Sequence, residues 1–189
     1  MPAARPQTRS QARSLRARAL QWLAQREQSR AELRRKLLRQ ARADLAGAVA
    51  PDGASEEREE LEEREEGVTE QVDAVLDWLE SNGYLSAERF VESRVHARAA
   101  RYGNLRIRQE LQQHQLGLSG ELAQTLGASE ADRARAVRAR RFAELPRDAA
   151  ERARQARFLI GRGFSSDAVR EALRNAGVAA LGEDDLEPS

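Results

Sequence analysis

Residues 30–41 read RAELRRKLLRQA, an arginine-rich segment in which Leu33 and Leu37 lie one helical turn apart. Similar segments follow at residues 104–117 (NLRIRQELQQHQLG) and 151–164 (ERARQARFLIGRGF). Each of the three is followed by a second stretch with helical periodicity, at residues 70–83, 120–128 and 166–177. Helical units this small cannot bury an apolar stripe alone, so they must pack against one another or against a partner. The repetition therefore predicts an interaction scaffold rather than an enzyme with a pocket.

Apolar periodicity and turn residues together predict an all-α protein with nine core helices, three in each of three tandem repeats. The chain of 189 residues is long enough for several small helical units. The predicted segments are a disordered basic N-terminus at 1–14, a first repeat at 15–83 with an acidic insertion at 44–67, a second repeat at 84–128, a third repeat at 129–178, and an acidic flexible tail at 179–189.

Two helix starts carry the pattern of a capping box, in which a side chain at each end of the first turn bonds the other's backbone N–H. One is Ser29 with Glu32, and the other is Asp148 with Glu151. We also expect Asn104 to cap the helix that follows it. These positions fix where three of the predicted helices begin.

The turns that follow the second and third arginine-rich segments can be aligned. The five-residue spacing from Leu111 to Leu116 is repeated from Leu159 to Phe164, so Gln115 corresponds to Gly163. Gly163 suits the left-handed backbone that often ends a helix. Gln115 would lose about 1 kcal/mol in that conformation. We therefore expect the two turns to differ.

The composition narrows the location and class of the protein. Charged residues make up 33% of the chain and aromatic residues 4%, and there is no cysteine, which excludes disulfides and thiolate metal sites. No apolar run approaches the roughly 18 residues that cross a bilayer, and the N-terminus lacks the apolar segment of a secretory signal. We expect a cytoplasmic protein without membrane contact.

The net charge of +1 conceals a separation of charge along the chain. Residues 56–66 read EEREELEEREE and are strongly acidic, so the rest of the chain is basic. The acidic segment is interpreted as a mobile solubilising linker, with Thr69 beginning the next helix and Gly67 ending any short helix before it. The alternatives are a mimic of DNA or an intramolecular competitor for the basic helix faces.

The sequence offers little for catalysis. His96 and His114 are the only histidines, and neither metal-ligand spacing nor a glycine-rich phosphate loop is present. Glu32 and Glu110 lie among arginines, where capping and charge pairing are their expected roles. We predict a non-enzymatic protein without a cofactor.

The arginines are the candidate partner-binding residues. At 100° per residue, Arg35, Arg39 and Arg42 lie opposite Leu33 and Leu37, and by the same geometry Arg154 and Arg157 lie opposite Leu159. These arginines are therefore on the solvent face if the leucines are buried. The structural alternative is a set of solvated faces paired with glutamates. As a set they could instead meet an acidic protein groove or the phosphates of a nucleoprotein filament. The candidates are Arg35, Arg39, Arg42, Arg106, Arg108, Arg154, Arg157 and Arg162.

Four motifs, in order, resemble those of the bacterial RecX family of regulatory proteins. They are REQSRAELRRKL at residues 26–37, GYLSAERFV at 83–91, GNLRIRQEL at 103–111 and FLIGRGF at 158–164. They are spread over all three repeats, and the whole likeness covers residues 20–177. The chain departs from the family at Gln115, where a glycine is usual, and in the length and acidity of residues 44–67.

The resemblance implies an elongated, curved arrangement of three tandem three-helix repeats. It also implies a regulator that binds RecA and the RecA–DNA filament along its groove and limits its recombination, ATPase and coprotease activities. We expect a monomer with weak direct DNA binding at most. The alternative is a helical DNA-binding protein that acts through nucleic acid rather than through RecA.

Overall fold

The computed structural model describes residues 7–46 and 57–174, and the side chains of residues 15–46 and 62–174. This part of the chain folds into nine α-helices and contains no strand. The helices are α1 (Gln7–Gln25), α2 (Arg30–Ala46), α3 (Glu57–Ser81), α4 (Ala87–Ala99), α5 (Asn104–Gln112), α6 (Gly120–Ala128), α7 (Glu130–Arg141), α8 (Ala149–Gly161) and α9 (Ser166–Ala172). The predicted all-α class and the tandem three-helix organisation are confirmed.

The chain divides into two compact units, one at Met1–Ser93 and the other at Arg94–Ser189. The division falls inside α4, so the first unit holds α1–α3 and the second holds α5–α9. The repeat boundaries expected from the sequence, and the elongated arrangement implied by the family resemblance, stay predictions. Within the described residues, no helix is both long and apolar enough to span a membrane.

The first unit has an apolar core between α1, α2 and α3. Leu33 and Leu37 of α2 are fully buried, as are Leu76 and Leu79 of α3. The spacing of three or four residues puts each pair on one helix face, so the two stripes meet. The remaining buried members of this core are Leu15, Ala19, Ala41, Val72, Val75 and Leu85. As expected, Ser29 caps α2, its Oγ accepting a hydrogen bond from the N–H of Glu32 at 3.1 Å.

Two helix boundaries in this unit differ from the predictions. Helix α1 begins at Gln7, so residues 7–14 are helical rather than disordered, while residues 1–6 lie outside the described part. Helix α3 begins at Glu57 rather than Thr69 and runs through Gly67 without ending there. The acidic segment is therefore a helical extension of α3 from Glu57 onward. A single interior glycine costs about 1 kcal/mol and does not break a helix of 25 residues.

The second unit buries an apolar core between α7, α8 and α9. Val137, Leu159, Phe164, Val169 and Leu173 are buried together with the small residues Ala134, Ala168 and Ala172. As predicted, Asp148 caps α8, accepting from the N–H of Glu151 at 2.7 Å, while the Glu151 carboxylate accepts from the N–H of Arg147 at 3.0 Å. The predicted tail at 179–189 lies outside the described residues.

The turns after α5 and α8 are alike, and the expectation that they would differ is wrong. Gln115 has a φ of 60° and Gly163 a φ of 81°, so both are left-handed. The N–H of Leu116 donates to the Leu111 carbonyl at 3.1 Å, and that of Phe164 donates to the Leu159 carbonyl at 3.3 Å. Both turns are therefore Schellman motifs. Because the two closing hydrogen bonds require the left-handed residue, Gln115 adopts it despite its side chain.

The start of α5 also differs from the prediction. The N-cap is Gly103, with extended backbone, and Asn104 is the first helical residue. The Asn104 side chain is buried and donates instead to the carbonyl of Leu126 at 3.1 Å. This helix start is thus tied to neighbouring segments rather than capped by its own side chain.

Candidate functional site

The predicted arginines of the first unit lie on α2, and α3 packs along one side of that helix. Arg35 and Arg39 are exposed, and neither forms an ion pair with a described residue. Arg42 lies 3.6 Å, Nε to Oε1, from Glu65 in the acidic extension of α3. The acidic extension therefore contacts Arg42 among the three predicted arginines of α2.

The other arginines of α2 are paired more closely with α3. Arg30 contacts Asp77 at 2.7 Å and Glu80 at 2.5 Å, and Arg34 holds Asp73 through two bonds of 2.7 and 2.9 Å. The bidentate bond from Arg34 lowers the pKa of the Asp73 carboxyl below its usual value. These ion pairs join α2 to α3 on the protein surface. Arg30 and Arg34 therefore already have carboxylate partners within the protein.

In the second unit, cationic side chains surround Tyr102 just before α5. The guanidinium carbon of Arg106 lies 4.9 Å from the ring centroid, that of Arg98 lies 5.8 Å away, and that of Arg162 lies 6.0 Å away. Arg98 is paired with Glu110 at 3.0 Å. Arg106 and Arg162 have no carboxylate partner among the residues described, so they leave net positive charge around this ring.

Arg162 also links Tyr102 to a second aromatic group. Its guanidinium carbon lies 4.7 Å from the ring centroid of Phe158, which packs edge-on against Phe142 at a centroid distance of 5.4 Å. Arg154 lies over the Phe142 ring at 5.6 Å. We call this set the arginine–aromatic surface. Its members are Tyr102, Arg106, Phe142, Arg154, Phe158 and Arg162.

Contact with aromatic rings leaves these guanidinium groups able to bind an anion. An arginine packed flat on an aromatic face loses little hydration and keeps the N–H groups at its edges available for carboxylate or phosphate oxygens. The rings also hold the side chains in place, which reduces the conformational entropy lost when a ligand binds. The surface is therefore suited to a polyanion or to an acidic protein.

The elements that carry this surface are held together by close backbone contact between the turn before α5 and the turn after α8. The N–H of Gly103 donates to the Arg162 carbonyl at 3.0 Å, and that of Leu105 donates to the Gly163 carbonyl at 3.1 Å. A Cβ on Gly103 would overlap backbone atoms of Gly163 and Phe164, and one on Gly163 would lie 2.6 Å from the Arg106 Cβ. We call this contact the glycine junction, Gly103 with Gly163.

A buried polar network surrounds the glycine junction. The Glu130 carboxylate accepts from the Asn104 N–H and from the Ser165 hydroxyl, each at 2.8 Å. Arg133 donates to the Asn104 side-chain oxygen at 2.5 Å and to the Tyr102 carbonyl at 3.0 Å. Burial lowers the pKa of the Arg133 guanidinium, and the charge of Glu130 opposes that shift. The network fixes Tyr102 and the start of α5 against α7 and α9.

The eight predicted arginines thus fall into three groups. Arg35, Arg39 and Arg42 lie on α2, and Arg106, Arg154 and Arg162 belong to the arginine–aromatic surface. Arg108 and Arg157 are exposed and lie outside that surface. The contacts of Phe142 and Phe158 with arginines were not predicted, although each of these phenylalanines directly follows an arginine in the chain.

The two histidines lie in different segments of the second unit. His96 is exposed on α4, and His114 is half-buried after α5. No group of three or more His, Asp or Glu side chains in the described ranges could hold a metal ion.

Fold and surface together define a class: an all-helical protein of small tandem three-helix units that presents ring-supported arginines to its surroundings. Family models agree with the three-helix architecture. The model of the second three-helix domain of RecX matches residues 88–125, and that of the third three-helix domain matches residues 128–173.

Curated relatives extend the match over nearly the whole chain. "Regulatory protein RecX" of Ralstonia nicotianae is 46% identical over 177 residues, covering 93% of this chain and 94% of the relative. Its namesake from Herbaspirillum seropedicae is 45% identical over 176 residues, covering 91% and 95%. That of Ralstonia pickettii is 44% identical over 165 residues, covering 86% and 88%. The chain belongs to the RecX family of regulatory proteins.

Proposed function

We propose that this chain is a non-catalytic regulator that binds RecA and its nucleoprotein filament and inhibits recombinase, ATPase and coprotease activity. It acts as a monomer in the cytoplasm and needs no cofactor. The arginine–aromatic surface is the main contact, and Arg35, Arg39 and Arg42 form a second one. Family membership supports the regulatory role, since the relatives are named regulatory proteins.

The observation that carries the proposal is the set of cations in the second unit that lack carboxylate partners among the described residues. Arg106 and Arg162 lie on Tyr102 and Phe158, which support them without neutralising them. A polymer of phosphates or an acidic groove would supply the missing negative charge. The glycine junction holds both arginines in a fixed relation, as recognition of a regular filament requires.

The test is the DNA-dependent ATP hydrolysis of RecA with this protein added at ratios well below one per protomer. The proposal predicts inhibition at those ratios, because one bound regulator affects the assembly or turnover of many protomers. The triple variant R106E/R154E/R162E should lose inhibition by at least about tenfold in the concentration required.

The matched control is the triple variant R147E/R170E/R174E, which reverses the same number of charges. These arginines lie on the same unit, are exposed, and pair with carboxylates three residues away. The control should inhibit like the unaltered chain, and circular dichroism should show equal helicity for all three proteins. Equal inhibition by both triple variants would contradict the proposed surface.

A second candidate function is direct DNA binding, with RecA contact incidental. The arginine–aromatic surface favours it too, because arginines interleaved with rings also bind single-stranded nucleic acid. In that case inhibition would require enough protein to coat the DNA, and the same protein would shift bare DNA in the same concentration range. The ATPase titration separates the two functions by its stoichiometry.

A further inference from the structure

Two exposed aliphatic side chains flank the glycine junction. Leu105 is 57% exposed and Ile160 is 55% exposed, and with Tyr84 they are the large hydrophobic residues that are exposed in the described part of the chain. Gly163 joins them, because its carbonyl accepts from the Leu105 N–H at 3.1 Å and its N–H donates to the Ile160 carbonyl at 2.8 Å. The backbones of Leu105 and Ile160 are therefore both tied to Gly163, one at the start of α5 and the other near the end of α8.

Exposed arginines accompany both aliphatic groups. Arg108 follows Leu105 by three residues on α5, and Arg157 precedes Ile160 by three residues on α8, so each lies on the same helix face as its aliphatic neighbour. Neither arginine has a hydrogen bond or ion pair with any described residue. Both were candidate residues, and the arginine–aromatic surface does not include them.

This combination differs chemically from the arginine–aromatic surface. Phosphates and bases are bound by cations and rings, whereas exposed leucine and isoleucine gain nothing from a phosphate backbone. An aliphatic pair flanked by cations is complementary to a protein segment that carries apolar anchors and carboxylates. The glycine junction keeps Leu105 and Ile160 at a fixed separation, so the segment binds a surface that is already formed.

We propose that Leu105, Ile160, Arg108 and Arg157 form a docking site for a short amphipathic, acidic segment of the protein partner. We call it the aliphatic docking site. The inference rests on the proposed function, since the partner is taken to be RecA protein rather than its DNA. It assigns protein alone as the ligand of the docking site, whereas the arginine–aromatic surface suits a polyanion as well as an acidic protein.

The test uses the full chain and the variant L105S/I160S, with Y84S as the control for loss of an exposed apolar side chain. Binding is measured to three probes by fluorescence anisotropy: RecA protein without DNA, the preformed RecA filament on single-stranded DNA, and single-stranded DNA alone. We expect L105S/I160S to lose on the order of tenfold in affinity for both RecA probes. Its affinity for DNA alone, and all three affinities of Y84S, should stay within about twofold.

Three results would overturn the docking site. The first is unchanged affinity of L105S/I160S for RecA, and the second is an equal loss of affinity for DNA alone. The third is self-association of the unaltered chain in sedimentation that the variant abolishes, because the occupant would then be a second copy of this chain. Because both residues are exposed, the variant should melt at the same temperature as the unaltered chain. If the unaltered chain binds neither RecA probe, the proposed function itself fails, which is a distinct outcome. An R108E/R157E variant should repeat the loss on RecA and make it salt-dependent.

Discussion

The first unit and the glycine junction of the second unit use their charged residues in opposite ways. In the first unit an apolar core joins α2 to α3, and ion pairs such as Arg34 with Asp73 lie on its surface. At the glycine junction the charged groups Glu130 and Arg133 are themselves part of the contact and bond backbone groups. Arg106 and Arg162, which lie outside this network, contact aromatic rings.

This difference determines which arginines can bind a partner. Carboxylates of α3 already neutralise Arg30 and Arg34, whereas Arg106 and Arg162 rest on rings that leave their charge in place. The difference also determines which contacts fix the structure. Surface ion pairs contribute little to stability, while close backbone packing and buried polar networks tolerate little change.

The largest effect is expected from G103A at the glycine junction. The added Cβ would overlap backbone atoms of Gly163 and Phe164, which cannot move aside as a side chain could. We expect the free energy of unfolding to fall by about 3 kcal/mol or more, measured by urea denaturation. The control is G161A, where a Cβ would meet open space and the helix should gain up to about 1 kcal/mol. Equal stabilities for the two variants would contradict the close contact.

The next effect concerns the buried carboxylate. E130A would leave the Asn104 N–H and the Ser165 hydroxyl without their acceptor and Arg133 without a neighbouring charge. We expect a loss of about 2 to 3 kcal/mol in the free energy of unfolding. E121A, at an exposed position of α6, is the control and should change stability by less than about 0.5 kcal/mol. A loss in E130A no larger than in E121A would show that the network is dispensable.

A smaller effect of opposite sign is expected after α5. Gln115 is left-handed, a conformation that glycine adopts without the steric cost of a side chain. We therefore expect Q115G to raise the unfolding free energy by about 0.5 to 1 kcal/mol, measured by thermal and urea denaturation. Q113G, two residues earlier at a φ of −63°, should instead lose up to about 1 kcal/mol. Destabilisation by both glycines would refute the left-handed turn.

The smallest effect belongs to the surface pair of the first unit. Because Arg34 lowers the folded-state pKa of Asp73, the pair stabilises the fold above the unfolded-state pKa, and this contribution is lost as pH falls through the lower folded-state pKa. Its size is well under 1 kcal/mol after solvent screening, since both groups are more than a third exposed. D73N removes this titration. The free energy of unfolding of the variant should therefore fall less than that of the unaltered chain below about pH 4, by that amount. A D73N loss as large as that of E130A would remove the distinction between the two regions.

The sequence predicted the helical repeats because their leucine spacing directly expresses which faces pack. It also predicted the caps at Ser29 and Asp148, where the bonding groups are neighbours in the chain. It did not predict the role of Asn104, because the partners of that residue lie 22 and 26 positions away. The left-handed Gln115 was missed because local residue preference was weighed without the two hydrogen bonds that close the turn.

Only part of the candidate site was predicted, because a sequence pattern describes the faces of single helices and not the contacts between distant segments. Periodicity correctly placed Arg35, Arg39, Arg154 and Arg157 on exposed faces. It could not show that Arg162 contacts both Tyr102 and Phe158, because Tyr102 lies between α4 and α5, far along the chain from Phe158 in α8. Nor could it show that α3 pairs with Arg30 and Arg34, since periodicity along one helix does not reveal its neighbour's charges.

The most direct test compares two double neutralisations that remove equal charge: R106Q/R162Q in the second unit and R30Q/R34Q in the first. Affinity for the RecA filament on single-stranded DNA is measured by fluorescence anisotropy at about 0.1 M salt, where unscreened charge still contributes. We expect a loss of about tenfold or more for R106Q/R162Q and less than about twofold for R30Q/R34Q. Equal losses, or a larger loss for R30Q/R34Q, would contradict the claim that ring-supported arginines of the second unit make the contact.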